Sequence, residues 1–474
     1  MTVTKDALPA SSPTSPEYRV LSAGIFALIV GIAFEFMAVA TALPQAAREL
    51  GGLGLYPWAL TGFLGAAMFA NGIAGEICDR VGPRIPLAAG AMTFAVGLVV
   101  SGLSQSMPML IAGRVVQGLG AGFTIVAVYV VIAQCYPDTV RPQVMTLIST
   151  AWVVPSVIGP FIAGGLTEYV SWRWAFLSLV PLLPIPMLAV LPRIKRTAPT
   201  DVRRSGRVLL AAAMAVGAGL LQWAGLLAED STWFGAAAAA AVGLGLVIVG
   251  VLQLFPPGAL RLARGLPSVV MFRGVMAGGF FGCEAFVPLM LVEHRGASPT
   301  MAGLAVATIA IGWATGSWIQ GRPKLRTPRT TLVRRGAVIT TIGVLTTALA
   351  AIATDDVTVP AWLSGVGLMV AGLGMGLGMA SNAVLLFEFS PVEDRGANSA
   401  AIQMSDSLGG LLVIGTAGVV YALWRDTLDP SLLFLLVFTL SAMVMLLAIV
   451  VAYRVRPTNS APSRSRSDEW GTKE

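Results

Sequence analysis

The stretch VLSAGIFALIVGIAFEFMAVATALP, residues 20–44, is an apolar run long enough to cross a lipid bilayer as one helix. Its apolarity is continuous rather than alternating, which favours a helix over a β-barrel strand, because a helix in lipid satisfies its own backbone hydrogen bonds. Similar runs recur along the 474 residues, which are 56% hydrophobic and only 12% charged, with a mean hydropathy of +0.79. This composition excludes a soluble globular protein. It predicts an all-α multi-span membrane protein.

The apolar pattern predicts fourteen membrane-spanning helices. They are placed at residues 20–44, 54–75, 84–104, 109–132, 143–168, 173–192, 208–228, 233–254, 268–292, 299–320, 335–353, 359–386, 397–424 and 430–453. Transporters are often built by duplication, so we interpret this series as two six-helix bundles with two extra helices between them.

The chain is therefore divided into six parts. They are a disordered cytoplasmic N-terminus (1–19), an N-terminal bundle (20–192), a basic cytoplasmic linker (193–207), two inserted helices and a loop (208–267), a C-terminal bundle (268–453) and a disordered cytoplasmic tail (454–474). The tail has the polar composition of a disordered segment.

Basic residues support this count, because they cluster in alternate loops. Loops rich in arginine stay in the cytoplasm, and an error of one helix would exchange the sides of all later loops. The distribution predicts that both termini are cytoplasmic. The net charge of +7 then needs no nucleic-acid partner, since it serves orientation and contact with anionic lipid. The excess of arginine over lysine, with abundant alanine and glycine, suggests a bacterial inner (plasma) membrane.

The loop after the second predicted helix reads GEICDRVGPR, residues 75–84. It contains two glycines, two acids and two bases in a turn short enough to hold two helix ends together. The residues of interest are Gly75, Asp79, Arg80, Gly82 and Arg84. Ion pairs in this loop could form in one conformation and break in another, and a solvated cytoplasmic turn is the alternative.

The fourth predicted helix contains LIAGRVVQGLGAG, residues 110–122, with Arg114 inside the apolar span. Gln117 lies one turn further along the same face, so the two side chains form a polar stripe, although an arginine that reaches the interface is an alternative. Gly118 and Gly120 allow close helix packing.

The fifth predicted helix contains VVPSVIGPFIAGG, residues 153–165. Pro155 and Pro160 remove backbone donors, and Gly159 and Gly164 permit bending or close approach. The segment is either a hinge or a kinked packing helix.

These three segments together resemble the motifs of the major facilitator superfamily, and the third resembles the motif of its antiporters. The stretches FEFMAVATALP (34–44) and SWRWAFLSLVP (171–181) are similar to stretches of its fourteen-helix drug:proton antiporter family. The resemblance implies roles in conformational gating for Gly75, Asp79, Arg80, Gly82, Arg84, Gly159, Pro160 and Gly164. The hinge interpretation of the fifth helix adds Pro155. The chain departs from the family pattern where Glu35 replaces an aspartate, Pro83 a basic residue and Ala163 a glycine.

Glu35 places a carboxylate in the first apolar span, where burying a charge is costly. A carboxyl group that exchanges a proton as its hydration changes is what a proton-coupled carrier requires. We interpret Glu35 as a coupling acid and a counter-charge for cationic substrates. Arg114 and Gln117 are further candidates for the proton-coupling and substrate site. A structural ion pair is the alternative.

Two further acids lie in predicted spans. Glu284, in the helix that opens the second bundle, is expected to reach a central cavity. Asp406 either lines that cavity or forms helix-packing hydrogen bonds. Trp152, Trp313 and Trp318 could offer cation-π surfaces to a substrate or serve as packing aromatics.

No phosphate-binding GxxxxGK[ST] loop occurs, and no polar segment is long enough for an ATPase domain, so the energy source is expected to be an ion gradient. A proton is favoured over sodium, because carboxylates in the spans fit proton exchange and the resemblance to antiporters implies it. No metal, cofactor or enzymatic site is predicted, since the cysteines and the single histidine lack ligand spacing. The expected protein is a monomeric proton-coupled antiporter that exports lipophilic, cationic drugs. A dedicated exporter of one metabolite is the second hypothesis. The third is a non-transporting sensor or lipid-handling protein on the same fold.

Overall fold

The computed structural model describes residues 12–137, 139–194, 207–229, 232–322, 326–353, 359–391 and 394–457. The predictions of disorder for residues 1–11 and 458–474, and the linker at 195–206, lie outside these ranges. Within them the chain is helical, and thirteen segments are long and apolar enough to cross a membrane. The predicted all-α membrane architecture is confirmed.

The first group of helices precedes the linker. It comprises α1 (Arg19–Glu49), α2 (Tyr56–Val81), α3 (Arg84–Gly102), α4 (Met107–Cys135), α5 (Arg141–Tyr169), α6 (Trp174–Leu177) and α7 (Pro184–Val190). The inserted pair is α8 (Arg207–Glu229) and α9 (Trp233–Leu254). The last group comprises α10 (Leu266–Glu284), α11 (Val287–Leu289), α12 (Pro299–Gln320), α13 (Arg329–Leu349), α14 (Leu363–Phe389), α15 (Arg395–Trp424) and α16 (Pro430–Arg454). A single π-turn, Met290–His294, continues α11.

The prediction of one continuous sixth helix at 173–192 is wrong. The segment forms the short helices α6 and α7, separated by turns. Pro181 lies in the turns between the two helices, and Pro184 begins α7. Three prolines within six residues remove three backbone donors and crowd the preceding turn, which favours a break at this point over a continuous helix. The broken segment still packs in the position of a sixth span, against α1 and α3.

Local sequence explains where several helices begin. Ser106 accepts a hydrogen bond from the N–H of Met109 at the start of α4, and Ser298 accepts one from Met301 at the start of α12. Asp429 caps α16 through the N–H of Ser431, at 2.9 Å. A side-chain cap satisfies backbone donors that the first helical turn leaves free.

The two groups of helices meet along two lines of contact. On one side α5 packs along α12, and on the other α2 packs along α15. The inserted helices pack on each other, and α8 covers the second line by contacting both α2 and α15. The hydroxyl of Thr61 in α2 donates to Gln222 of α8 at 2.6 Å, which holds the insert against the first group.

Candidate functional site

A cavity of about 220 Å³ lies between the two groups of helices. Its wall is mostly apolar and aromatic, with an arginine and two acids at the surface. The lining residues are Phe36, Ala40, Leu60, Leu64, Arg114, Trp152, Phe281, Glu284, Ala285, Asp406, Ser407, Gly410 and Ile414. The sequence-predicted Arg114, Glu284, Asp406 and Trp152 therefore come together at one place.

Glu35 forms an ion pair with Arg114, and both side chains are fully buried. Arg114 also donates to Gln117 at 2.6 Å and, through Nε, to the carbonyl oxygen of Ala59 at 3.0 Å. Its guanidinium lies over the ring of Phe63, 4.4 Å from the ring centroid. The polar stripe expected along the fourth span, Arg114 and Gln117, is thus present, and its arginine is the ion-pair partner of Glu35. This geometry favours the structural alternative for Glu35, while its predicted coupling role stays a prediction.

Asp406 accepts a hydrogen bond from Nε of Arg273 at 2.9 Å. Sequence reasoning missed Arg273 as a site residue. A signal was present, since Arg273 lies eleven residues, or about three helical turns, before Glu284 and so on the same face of α10. Asp406 therefore combines the two alternatives proposed for it. It lines the cavity, and its hydrogen bond with Arg273 joins α15 to α10.

Glu284 differs from the other two acids because it has no ion pair or hydrogen-bond partner among the described residues. Its side chain is 7% exposed and lines the cavity. Next to it, the hydroxyl of Tyr56 donates to the carbonyl oxygen of Ala285 at 2.5 Å, which fixes the position of this part of α10 against α2. A buried carboxylate without a partner is costly, so it needs a proton or a cation.

The predicted aromatic residues take different positions. Trp152 lines the cavity, whereas Trp313 packs edge-on against Phe280 with ring centroids 6.0 Å apart. Trp318 is 63% exposed and stacks with the guanidinium of Arg322 at 3.7 Å. Among the three, Trp152 is placed to contact a molecule in the cavity.

The short loop between α2 and α3 turns at a glycine with a positive φ angle. Gly82 has φ +74°, a conformation that L side chains rarely adopt, which explains a glycine at this position. Arg80 pairs with Glu76 one turn earlier, and Arg84 begins α3. The side chain of Asp79 lies outside the described part of the chain. A side chain at Gly75 would meet no atom within 4 Å, so α2 faces open space there.

The glycines of α4 permit close packing, as the sequence suggested. A Cβ at Gly118 would collide with the backbone of Phe63 in α2, and one at Gly120 with the backbone of Phe94 in α3. These contacts hold α4 between its neighbours and thereby fix the position of Arg114.

The antiporter-type segment of α5 forms a tight contact with α12. A Cβ at Gly164 would lie 2.7 Å from both the carbonyl oxygen of Pro299 and Cα of Thr300. Conversely, a Cβ at Gly303 would collide with the carbonyl oxygen of Pro160. We call this contact the α5–α12 seam. α5 continues through Pro155 and Pro160 as one helix, so both prolines are accommodated within it.

Polar contacts also join the two groups near the seam. Arg48, at the end of α1, forms an ion pair with Glu293 at 2.8 Å. Glu168, at the end of α5, accepts a hydrogen bond from the N–H of Thr300 at 3.2 Å. These contacts and the seam join the two groups of helices at the end of the bundle predicted to be extracellular.

Comparison with known proteins agrees with this arrangement. The family model described as Major Facilitator Superfamily matches residues 25–353 and 275–473. The chain belongs to the Major Facilitator Superfamily. This membership confirms the resemblance inferred from the loop, helix-four and helix-five motifs, and it makes the chain a member of a multi-span membrane transporter family.

Other Major Facilitator Superfamily proteins resemble the chain along most of its length. An uncharacterized MFS-type transporter of Mycobacterium tuberculosis strain H37Rv is 28% identical over 443 residues, which cover 90% of this chain and 63% of the relative. The chain thus spans less than two thirds of that relative's length. The multidrug efflux pump SdrM of Staphylococcus aureus strain N315 is 25% identical over 410 residues, which cover 84% of this chain and 89% of the pump.

Solved structures share the Major Facilitator fold. An auto-inhibited peptide transporter of the POT family superposes with a TM-score of 0.67 at 15% identity, covering 94% of this chain and 99% of the other. At this identity the likeness establishes the fold alone.

We expect Gly164→Val to open the α5–α12 seam, because the added side chain cannot fit against the backbone at Pro299 and Thr300. The measurement uses a protein variant in which the native cysteines are replaced and one cysteine is placed at Ala40, which lines the cavity. A membrane-impermeant maleimide is added outside the cells, and labelling of this cysteine is measured. Labelling should rise several-fold above the parent.

Gly165→Val is the matched control, since a Cβ at Gly165 would meet nothing within 4 Å. It should leave labelling unchanged. Equal labelling in the two variants would show that the seam does not close the cavity.

Proposed function

We propose that the chain is a proton-coupled antiporter that exports lipophilic cations by alternating access. The observation that carries the proposal is the unpaired Glu284 in an apolar and aromatic cavity between the two groups of helices. The similarity to SdrM, which is named as a multidrug efflux pump, supports the export of drug-like compounds.

The sum of the charges around the cavity supports a cationic substrate. Arg114 is offset by Glu35 and Asp406 by Arg273, so the two pairs contribute no net charge. Glu284 then leaves a net charge of −1 when ionised. A lipophilic cation supplies the missing positive charge, and the rings of Trp152 and Phe281 offer apolar and cation-π contact.

The same carboxylate supports proton coupling. A buried carboxylate binds either a proton or a cation, because holding both would place a net positive charge in the apolar cavity. Protonation of Glu284 from one side would release the cation there, and loss of the proton on the other side would allow the next cation to bind. Exchange requires the cavity to open alternately, which rocking of the two groups provides. Closure at the α5–α12 seam is one end state of that movement.

The size of the cavity favours a second candidate, a dedicated exporter of one compact metabolite. Sites for drug-sized ligands have volumes of roughly 300–1,000 Å³. A cavity of about 220 Å³ must widen to hold such molecules. In either case we propose a monomer in a bacterial inner membrane with both termini in the cytoplasm.

The test is transport of tetraphenylphosphonium by purified protein in proteoliposomes with an imposed pH gradient. We expect gradient-driven accumulation that a protonophore abolishes, and no accumulation of an uncharged lipophilic dye. Competition by structurally unrelated lipophilic cations would support multidrug export, and its absence would support the dedicated exporter. No cation flux under any gradient would overturn the proposal and favour a sensor or lipid-handling protein.

A further inference from the structure

A second, basic groove lies on the outer surface, away from the central cavity. It occupies about 350 Å³ between the N-terminal end of α13 and the C-terminal end of α16. Its lining residues are Thr331, Arg334, Arg335, Val338, Ile339 and Tyr453. None of them belongs to the candidate transport site.

The two arginines of this groove carry uncompensated charge. Neither Arg334 nor Arg335 forms an ion pair among the described residues. The Nε of Arg334 is buried without a hydrogen-bond partner, while its guanidinium is held 4.9 Å from the ring centroid of Tyr453. The groove therefore presents guanidinium donors and two positive charges, which suit a phosphate group.

Apolar surface continues from the groove along both helices. On α13, Val338, Ile342 and Leu345 follow the arginines on one face and are 39–52% exposed. On α16, Val450 and Leu446 precede Tyr453 on one face and are exposed to a similar degree. A helix surface of this kind faces lipid tails in a membrane. The combination is a head-group site at one end of an apolar track.

We propose that this groove binds one anionic phospholipid, with its phosphate on Arg334 and Arg335 and its acyl chains along α13 and α16. Basic pockets between transmembrane helices on the cytoplasmic side are suited to such head groups. Free phosphate shares the anionic chemistry but would gain nothing from the apolar track. The groove lies at the end of the bundle predicted to be cytoplasmic, where anionic head groups and basic residues meet.

The test is native mass spectrometry of the purified chain with phosphatidylglycerol or phosphatidylcholine of identical acyl chains. We expect tighter retention of phosphatidylglycerol by the native protein and a loss of about 25-fold in R334Q/R335Q, since each arginine contributes about 1 kcal/mol near an anionic head group. The charge-preserving R334K/R335K should retain most of the binding, which separates lost charge from misfolding.

The matched control is R193Q/R322Q, which removes two exposed arginines from other helix ends. It should retain phosphatidylglycerol as the native chain does. The proposal is overturned if R334Q/R335Q binds like the native protein, if the control loses as much, or if excess inorganic phosphate displaces the lipid completely.

Discussion

Glu284→Gln is expected to abolish gradient-driven transport of a lipophilic cation while leaving the fold intact. Glutamine has nearly the same shape, and no cationic partner of Glu284 among the described residues would be left unpaired by the change. Because a charge-assisted contact contributes about 1.5–3 kcal/mol, the affinity for the cation should fall by roughly 10- to 100-fold. The measurements are binding and transport of tetraphenylphosphonium.

The pH dependence of binding gives a second readout. Affinity of the native protein should rise with pH as the Glu284 carboxyl loses its proton, and affinity of Glu284→Gln should be independent of this ionisation. Glu388→Gln, which removes an exposed acid from the end of α14, is the control and should behave like the native chain. Native transport by Glu284→Gln would refute the role assigned to this carboxylate.

Glu35→Gln is expected to destabilise the protein strongly. The change leaves the fully buried guanidinium of Arg114 without its counter-charge. Removal of one partner of a buried ion pair typically costs about 3–5 kcal/mol. The free energy of unfolding, measured by denaturant titration in mixed micelles, should fall by this order.

The double variant E35Q/R114Q is the decisive control. Removing both charges leaves no buried ion unpaired, so the double variant should be more stable than either single variant. Gradient-driven transport by the folded double variant would establish the pair as structural. A Glu35→Gln protein that is as stable as the native chain but loses gradient-driven transport would instead identify Glu35 as the coupling acid.

Much of the architecture follows from the sequence, because each span must satisfy its backbone hydrogen bonds within itself. Apolar length alone therefore located thirteen of the membrane-crossing segments to within several residues. The sixth predicted span shows the limit of length as a criterion. Its composition is apolar enough, but Pro181, Pro184 and Pro186 interrupt the helix.

Some boundaries moved for a related reason. α13 begins at Arg329 rather than at 335, so Arg334 and Arg335 lie in its second turn, and the guanidinium of Arg334 reaches the ring of Tyr453 on α16. Charge in the sequence suggested a loop there, whereas the long side chains allow helix and charge to coexist.

The sequence by itself determined the membrane fold, the family motifs and the presence of three acids and two arginines, Arg114 and Arg273, inside apolar spans. Only the tertiary structure decided which acid lacks a partner. Glu35 and Arg114 are 79 residues apart, and Arg273 and Asp406 are 133 residues apart. Apolar periodicity reports how one helix meets lipid or protein, but it carries no information about which distant side chain lies opposite. Pairing depends on helix packing, and among the described residues that packing gives Glu35 and Asp406 an arginine partner each but gives Glu284 none.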